Sequence, residues 1–147
     1  MRASSAACVS LVLICGLSWT AIVNGQSNEY STITGTVRCG GVCDTVGLSY
    51  GSPINAAGRI VAHMTMALDP YTGSTRPDLP TTDAQTSFDA SAHGHYELQG
   101  LLPGIYDLYA FASGYQTVLV ASGVTVHPGQ SLSFDAYMTP CPPNGCT

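Results

Sequence analysis

Apolar and polar residues alternate along most of this chain, and the pattern reads as one strand after another. From Arg59 to Leu68, Ile60, Ala62, Met64, Met66 and Leu68 fall on one side, while Arg59, Val61, His63, Thr65 and Ala67 fall on the other. A period of two sends successive side chains to opposite faces of a sheet, so the first row is expected to line a core. Tyr30 to Arg38 sets Ile33, Gly35 and Val37 against Thr32, Thr34, Thr36 and Arg38. Ile105 to Ala112 sets Tyr106, Leu108 and Ala110 against Ile105, Asp107, Tyr109 and Phe111. Gln116 to Ala121 and Val124 to Val126 are shorter runs, and Leu132 to Met138 keeps Leu132, Phe134, Ala136 and Met138 in one row. No stretch holds helical spacing beyond a turn or two.

The breaks fit the same reading. Pro70, Gly73, Pro77 and Pro80 mark Asp69 to Asp83 as a long surface loop, a length that is uncommon unless the loop has a task. Thr86 to Phe88 and Tyr96 to Leu98 flank Ala92-His93-Gly94, a hairpin signal in which Gly94 is free to take a positive φ. Pro103-Gly104 and Pro128-Gly129 are further turns. Short strands at turn-separated intervals predict an all-β antiparallel sandwich, and 147 residues suit one such domain.

The first 25 residues change the expected address. Arg2, the apolar run from Ala6 to Leu17 and small residues before Gln26 read as an export signal, leaving 26–147 as the mature domain. An uncleaved anchor is the alternative, but Ser10, Gly16, Ser18 and Thr20 interrupt the run. No second apolar run follows, so a secreted or cell-surface domain without membrane insertion is expected. In that oxidising setting Cys39, Cys43, Cys141 and Cys146 predict two disulfides, with three pairings open. Their spacing misses the two-residue knuckle of zinc sites. Only 9% of residues are charged, lysine is absent, and Arg38, Arg59 and Arg76 are scattered. Three separated arginines make no phosphate-tracking stripe, which argues against nucleic acid and anionic lipid as partners.

Several motifs carry a family resemblance. Gly35-Thr36-Val37 opens the domain, a Gly turn at Gly94 precedes Tyr96, Leu102-Pro103-Gly104-Ile105-Tyr106 forms a corner, and Gly114-Tyr115 follows. Across about residues 31 to 139 the chain resembles the carboxypeptidase regulatory-like, prealbumin-like family, which overlaps with collagen-adhesin B-type repeats. The resemblance implies an Ig-like or prealbumin-like sandwich of about seven strands, in a superfamily filed under a carbohydrate-binding-like fold. It makes the corner residues structural, with Gly104 turning the chain and Tyr106 entering the core. In Ig-like sandwiches the first and last strands can run parallel side by side. That placement favours at least one long-range bridge between the Cys39/Cys43 and Cys141/Cys146 pairs over two local ones.

Catalysis finds little support in the sequence. His93 and His95 are spaced to share a strand face, but they occupy the turn, whereas the His-x-His pair of intradiol dioxygenases follows the corner. The Tyr-Arg-Gly-Ser ending of hydroxyisourate hydrolases is absent, as is a Gly-x-Ser-x-Gly elbow. Without lysine the isopeptide bond of adhesin repeats cannot form, although Glu97 lies near the helper position. Asp69, Asp78, Asp83 and Asp89 supply oxygens near the loop but fit no calcium motif. The expectation is therefore a non-enzyme without cofactor or metal. Tyr109, Phe111 and Tyr137 lie on outward rows and are candidate contacts for carbohydrate or a cell-surface protein. A secreted binding or accessory module is the first reading, and a self-associating surface or filament subunit the alternative.

Overall fold

Nine residues, Ser31–Cys39, form the first strand, β1, and their burial alternates without a break. The computed structural model describes residues 30–146. The expected export signal lies outside the described residues. Seven more strands follow: β2 (Gly58–Ala67), β3 (Asp83–Phe88), β4 (His95–Leu101), β5 (Gly104–Ala112), β6 (Val118–Val126), β7 (Ser131–Ser133) and β8 (Ala136–Met138). They make two four-stranded sheets, one ordered β4-β1-β7 with β8 also on β1, the other β3-β2-β5-β6. The result is an all-β sandwich of two sheets, as the alternation predicts.

The inward rows meet between the sheets. Ile33, Val37, Tyr96, Leu98 and Met138 come from the first sheet, and Ile60, Ala62, Met64, Tyr106 and Leu108 from the second; all are almost fully buried. Burying each of the larger side chains stabilises the fold by about 1.5 to 3 kcal/mol before entropy is counted.

Four local expectations need correction. The β2 row does not run unbroken to Leu68: the β2–β5 register slips between Met64 and Met66. Beyond this bulge Ala67 is buried and Met66 only partly, the reverse of the assignment from alternation. Thr86 to Phe88 and Tyr96 to Leu98 are not a hydrogen-bonded hairpin, since β3 pairs with β2 while β4 pairs with β1. Their connection crosses from one sheet to the other; Gly94 takes the positive φ expected of it, 71°, and a Cβ there would also collide with the Val37 carbonyl oxygen. The runs around Gln116 to Val126 merge into the single strand β6, which carries bulges where its register with β5 slips. Finally, the last strand is split into β7 and β8.

That split has a visible cause. The backbone leaves the ladder at Phe134, whose carbonyl oxygen turns inward over Gly35 and accepts a hydrogen bond from the Tyr96 hydroxyl at 2.6 Å. A side chain at Gly35 would occupy that space. Asp135 then accepts from the Thr36 amide at 2.9 Å and Arg38 Nε at 2.8 Å, so a carboxylate replaces the missing strand partner.

The first and last strands do run parallel, with Cys39 opposite Met138. The favoured long-range disulfide is nevertheless absent: the bridges are Cys39–Cys43 and Cys141–Cys146, with Cα separations of 6.0 and 5.0 Å. After β8 the chain turns away from Cys39 to lie along the β5–β6 turn. Gln116 donates to the Thr139 carbonyl and Cys141 to that of Gly114, both at 2.9 Å. Each cysteine therefore meets its neighbour in sequence.

Candidate functional site

The outward face of the second sheet brings apolar and aromatic side chains from three strands together. Its central row runs across three strands as Val61 on β2, Tyr109 on β5 and Leu119 on β6. Cross-strand neighbours sit close enough to pack, and Val61 and Tyr109 are half-buried by each other and by the rows beside them. Leu119, at the open edge, remains 49% exposed. Phe111 sits in the next row beside its partner Arg59, whose guanidinium lies 4.9 Å from the ring centre. A shallow groove of about 430 Å³ opens there between Gly58, Arg59, Ser87, Phe111 and Thr117.

The row on the other flank is ionic. Asp83, His63 and Asp107 lie side by side on β3, β2 and β5. His63 Nδ1 is 2.8 Å from Asp83 Oδ1. Asp107 accepts from the Ser122 hydroxyl at 2.7 Å and the Gly123 amide at 2.9 Å, which holds its carboxyl below the usual range and clamps the β6 bulge. The face thus has an arginine flank, an apolar centre and an acidic flank. Its edge strand β6 carries no charged residue, whereas β3 begins with Asp83 and β4 holds His95 and Glu97.

Of the three outward aromatics anticipated from sequence, Tyr109 and Phe111 come together here. Tyr137 does not: it pairs with Arg38 on the first sheet and stacks on Tyr50, with ring centres 5.8 Å apart. Tyr50 lies in the stretch between β1 and β2, outside any alternating run, so nothing in the sequence pointed to it. Val61 and Leu119 were legible only as outward or unassigned positions, because a row across strands depends on register.

The corner residues are structural. Tyr106 enters the core and its hydroxyl donates to the Leu102 carbonyl at 2.8 Å, and burial pushes its pKa up to about 12. Pro103 is buried beside it. Gly104 needs correction, because it is the first residue of β5 and has no positive φ. A Cβ there would lie 2.9 Å from the Met66 carbonyl oxygen and 3.0 Å from Met64 Cε, so close packing selects glycine. Gly114 has a φ of 78° and leads into buried Tyr115.

Of the acidic residues near the long loop, Asp69 and Asp78 meet on Arg76, and the other two stand apart. Asp69 caps the loop, Asp78 pairs with Arg76, Asp83 with His63, and Asp89 caps the turn before His93. Among the described residues no group of three or more His, Cys, Asp or Glu side chains is placed to hold a metal ion. Nor is any helix there long and apolar enough to cross a membrane.

No family model matches the chain, and a search of curated proteins finds no match. Among solved structures the chain is similar to GBS52, the minor pilin of the Gram-positive pathogen Streptococcus agalactiae. Identity is 16% and the TM-score 0.40, over 82% of this chain and 48% of that one. The chain therefore matches about half the length of that protein.

Proposed function

We propose that this chain is a non-catalytic, extracellular structural module, akin to carboxypeptidase regulatory-like domains, that associates with copies of itself through the outward face of its second sheet. The observation that carries the reading is the apolar row Val61–Tyr109–Leu119 set between an arginine flank and an acidic one. Two copies laid face to face about a two-fold axis along that row would set Arg59 of each against the Asp83–His63–Asp107 row of the other. Such an arrangement offsets locally the repulsion expected from a net charge of -5. The bulges in β6 bend the edge and disfavour backbone pairing, so side chains of the face form the contact. A carbohydrate site has less behind it, because Tyr109 and Phe111 lie on one sheet and Tyr137 on the other.

Sedimentation velocity over a wide concentration range tests the reading. The mature domain is expected to assemble as concentration rises, and Leu119→Lys to remain monomeric. Arg59→Glu should weaken assembly and Asp83→Arg added to it should restore it. A wild-type domain that stays monomeric throughout contradicts the proposal.

A further inference from the structure

We infer that the cleft beneath the proline-rich loop binds a small, uncharged, apolar molecule. The cleft lies at the end of the sandwich where β2 leaves its sheet, and its volume is about 300 Å³. Met64 and Leu68 form its floor, Leu102 one wall, and Leu79 and Pro80 the overhang; Thr82 is the sole polar side chain lining it. An apolar cavity of about 150 Å³ accepts benzene, so this one has room for a two-ring molecule or a short acyl chain.

No charged side chain lines the cleft. Arg76 sits in the same loop, but both its ends are occupied: Nε and one terminal nitrogen bind Asp78 at 2.8 and 2.7 Å, and the other terminal nitrogen lies 3.3 Å from Asp69. Asp69 also accepts from the amides of Tyr71 and Thr72, each at 2.9 Å. Arg76 holds the Asp78 carboxyl down at about 2, so the clip stays ionised at any pH near neutral. Backbone bonds pin the loop to the strand, with the Arg76 amide donating to the Ala67 carbonyl at 2.8 Å and Leu68 bridged to Thr75. The overhang is therefore preformed, and a ligand need not order it on binding. Leu79 and Leu102, 40% and 41% exposed, would lose their contact with water to the ligand.

N-phenyl-1-naphthylamine, neutral and fluorescent in apolar surroundings, is the probe. Titrated into the whole domain it should give a saturable signal at one probe per chain. Leu79→Glu, which places a carboxylate at the mouth, should weaken binding roughly tenfold or more. Thr82→Trp, filling the cleft from an exposed position, should do the same without altering the thermal melt. Tyr109→Ser, on the sheet face, should leave the titration unchanged whether or not the chain self-associates. An unsaturable signal overturns the inference. So does binding lost in Tyr109→Ser and retained in Leu79→Glu, which would put the probe on the association face.

Discussion

Two tyrosine hydroxyls tie strands to irregular backbone, Tyr96 on β4 to the break between β7 and β8 and Tyr106 on β5 to the turn before its own strand. Tyr96 donates to Phe134 and Tyr106 to Leu102, and burial pushes both phenols up to about 12. The protonated form is favoured in the folded chain, so this stabilisation is complete below about pH 10, the unfolded value, and is lost as pH rises towards 12. Thermal melts are expected to fall steeply across that window. Replacing both tyrosines by phenylalanine should lower the melt at neutral pH and flatten the alkaline decline; an equally steep decline in the double variant counts against it. Gly104→Val tests the corner. Valine must displace Met64 or the Met66 carbonyl, an overpacking of about 1 to 3 kcal/mol. A drop of more than about 2 °C in the melting temperature is expected, and a smaller change contradicts the packing argument. The sequence marked Gly104 as essential through its motif but suggested a backbone reason. Nearness to Met66 is a contact across strands, which no local pattern encodes.

At the scale of elements, strands with an unbroken period of two were legible almost to the residue. β1 and β5 each keep one buried row, and their residues alternate between core and exterior as read from sequence. Bulges were not legible, because an inserted residue changes which side faces inward without changing composition. Thr65 on β2 passes as an ordinary strand residue until the partner strand is known, while Ser122-Gly123 on β6 reads as a break between two runs rather than as a bulge within one. The crossover between β3 and β4 was hidden for the same reason: a glycine turn permits a hairpin but does not choose the sheet its second strand joins. The disulfides show the limit from another side. Parallel packing of β1 and β8 was anticipated, yet the turn after Met138 decided the pairing. Bridges spanning 4 and 5 residues each remove little chain entropy, about 2 kcal/mol in the loop-closure model, against about 4 to 5 for the long bridge expected from sequence. Chemical reduction should therefore lower the melting temperature while leaving a cooperative transition at room temperature. A chain that unfolds on reduction would show that the bridges restrain far more than their own turns.

For the molecule as a whole, the two faces of the sandwich differ in kind. The exterior of the first sheet is largely polar, with Thr32, Thr34 and Thr36 on β1 and Glu97 on β4, and its aromatic pair Tyr50–Tyr137 stands at one end. The second sheet instead carries a continuous apolar row flanked by opposite charges, ending at an uncharged edge. With few charges in the chain, the placement of Arg59, Asp83 and Asp107 weighs heavily in setting which surfaces attract. Sequence gave the ingredients of that face, since Val61, Tyr109 and Phe111 fell on outward rows. It could not join them to Leu119 or separate them from Tyr137, because both facts follow from strand order. Side-chain footprinting by hydroxyl radicals at low and high protein concentration shows which face of the sandwich is covered when copies meet. Tyr109, Phe111 and Leu119 are expected to lose reactivity together as copies associate, while Tyr50 and Tyr137 keep theirs. Protection that appears on Tyr50 and Tyr137, or on neither face at any concentration, would contradict an association surface on the second sheet.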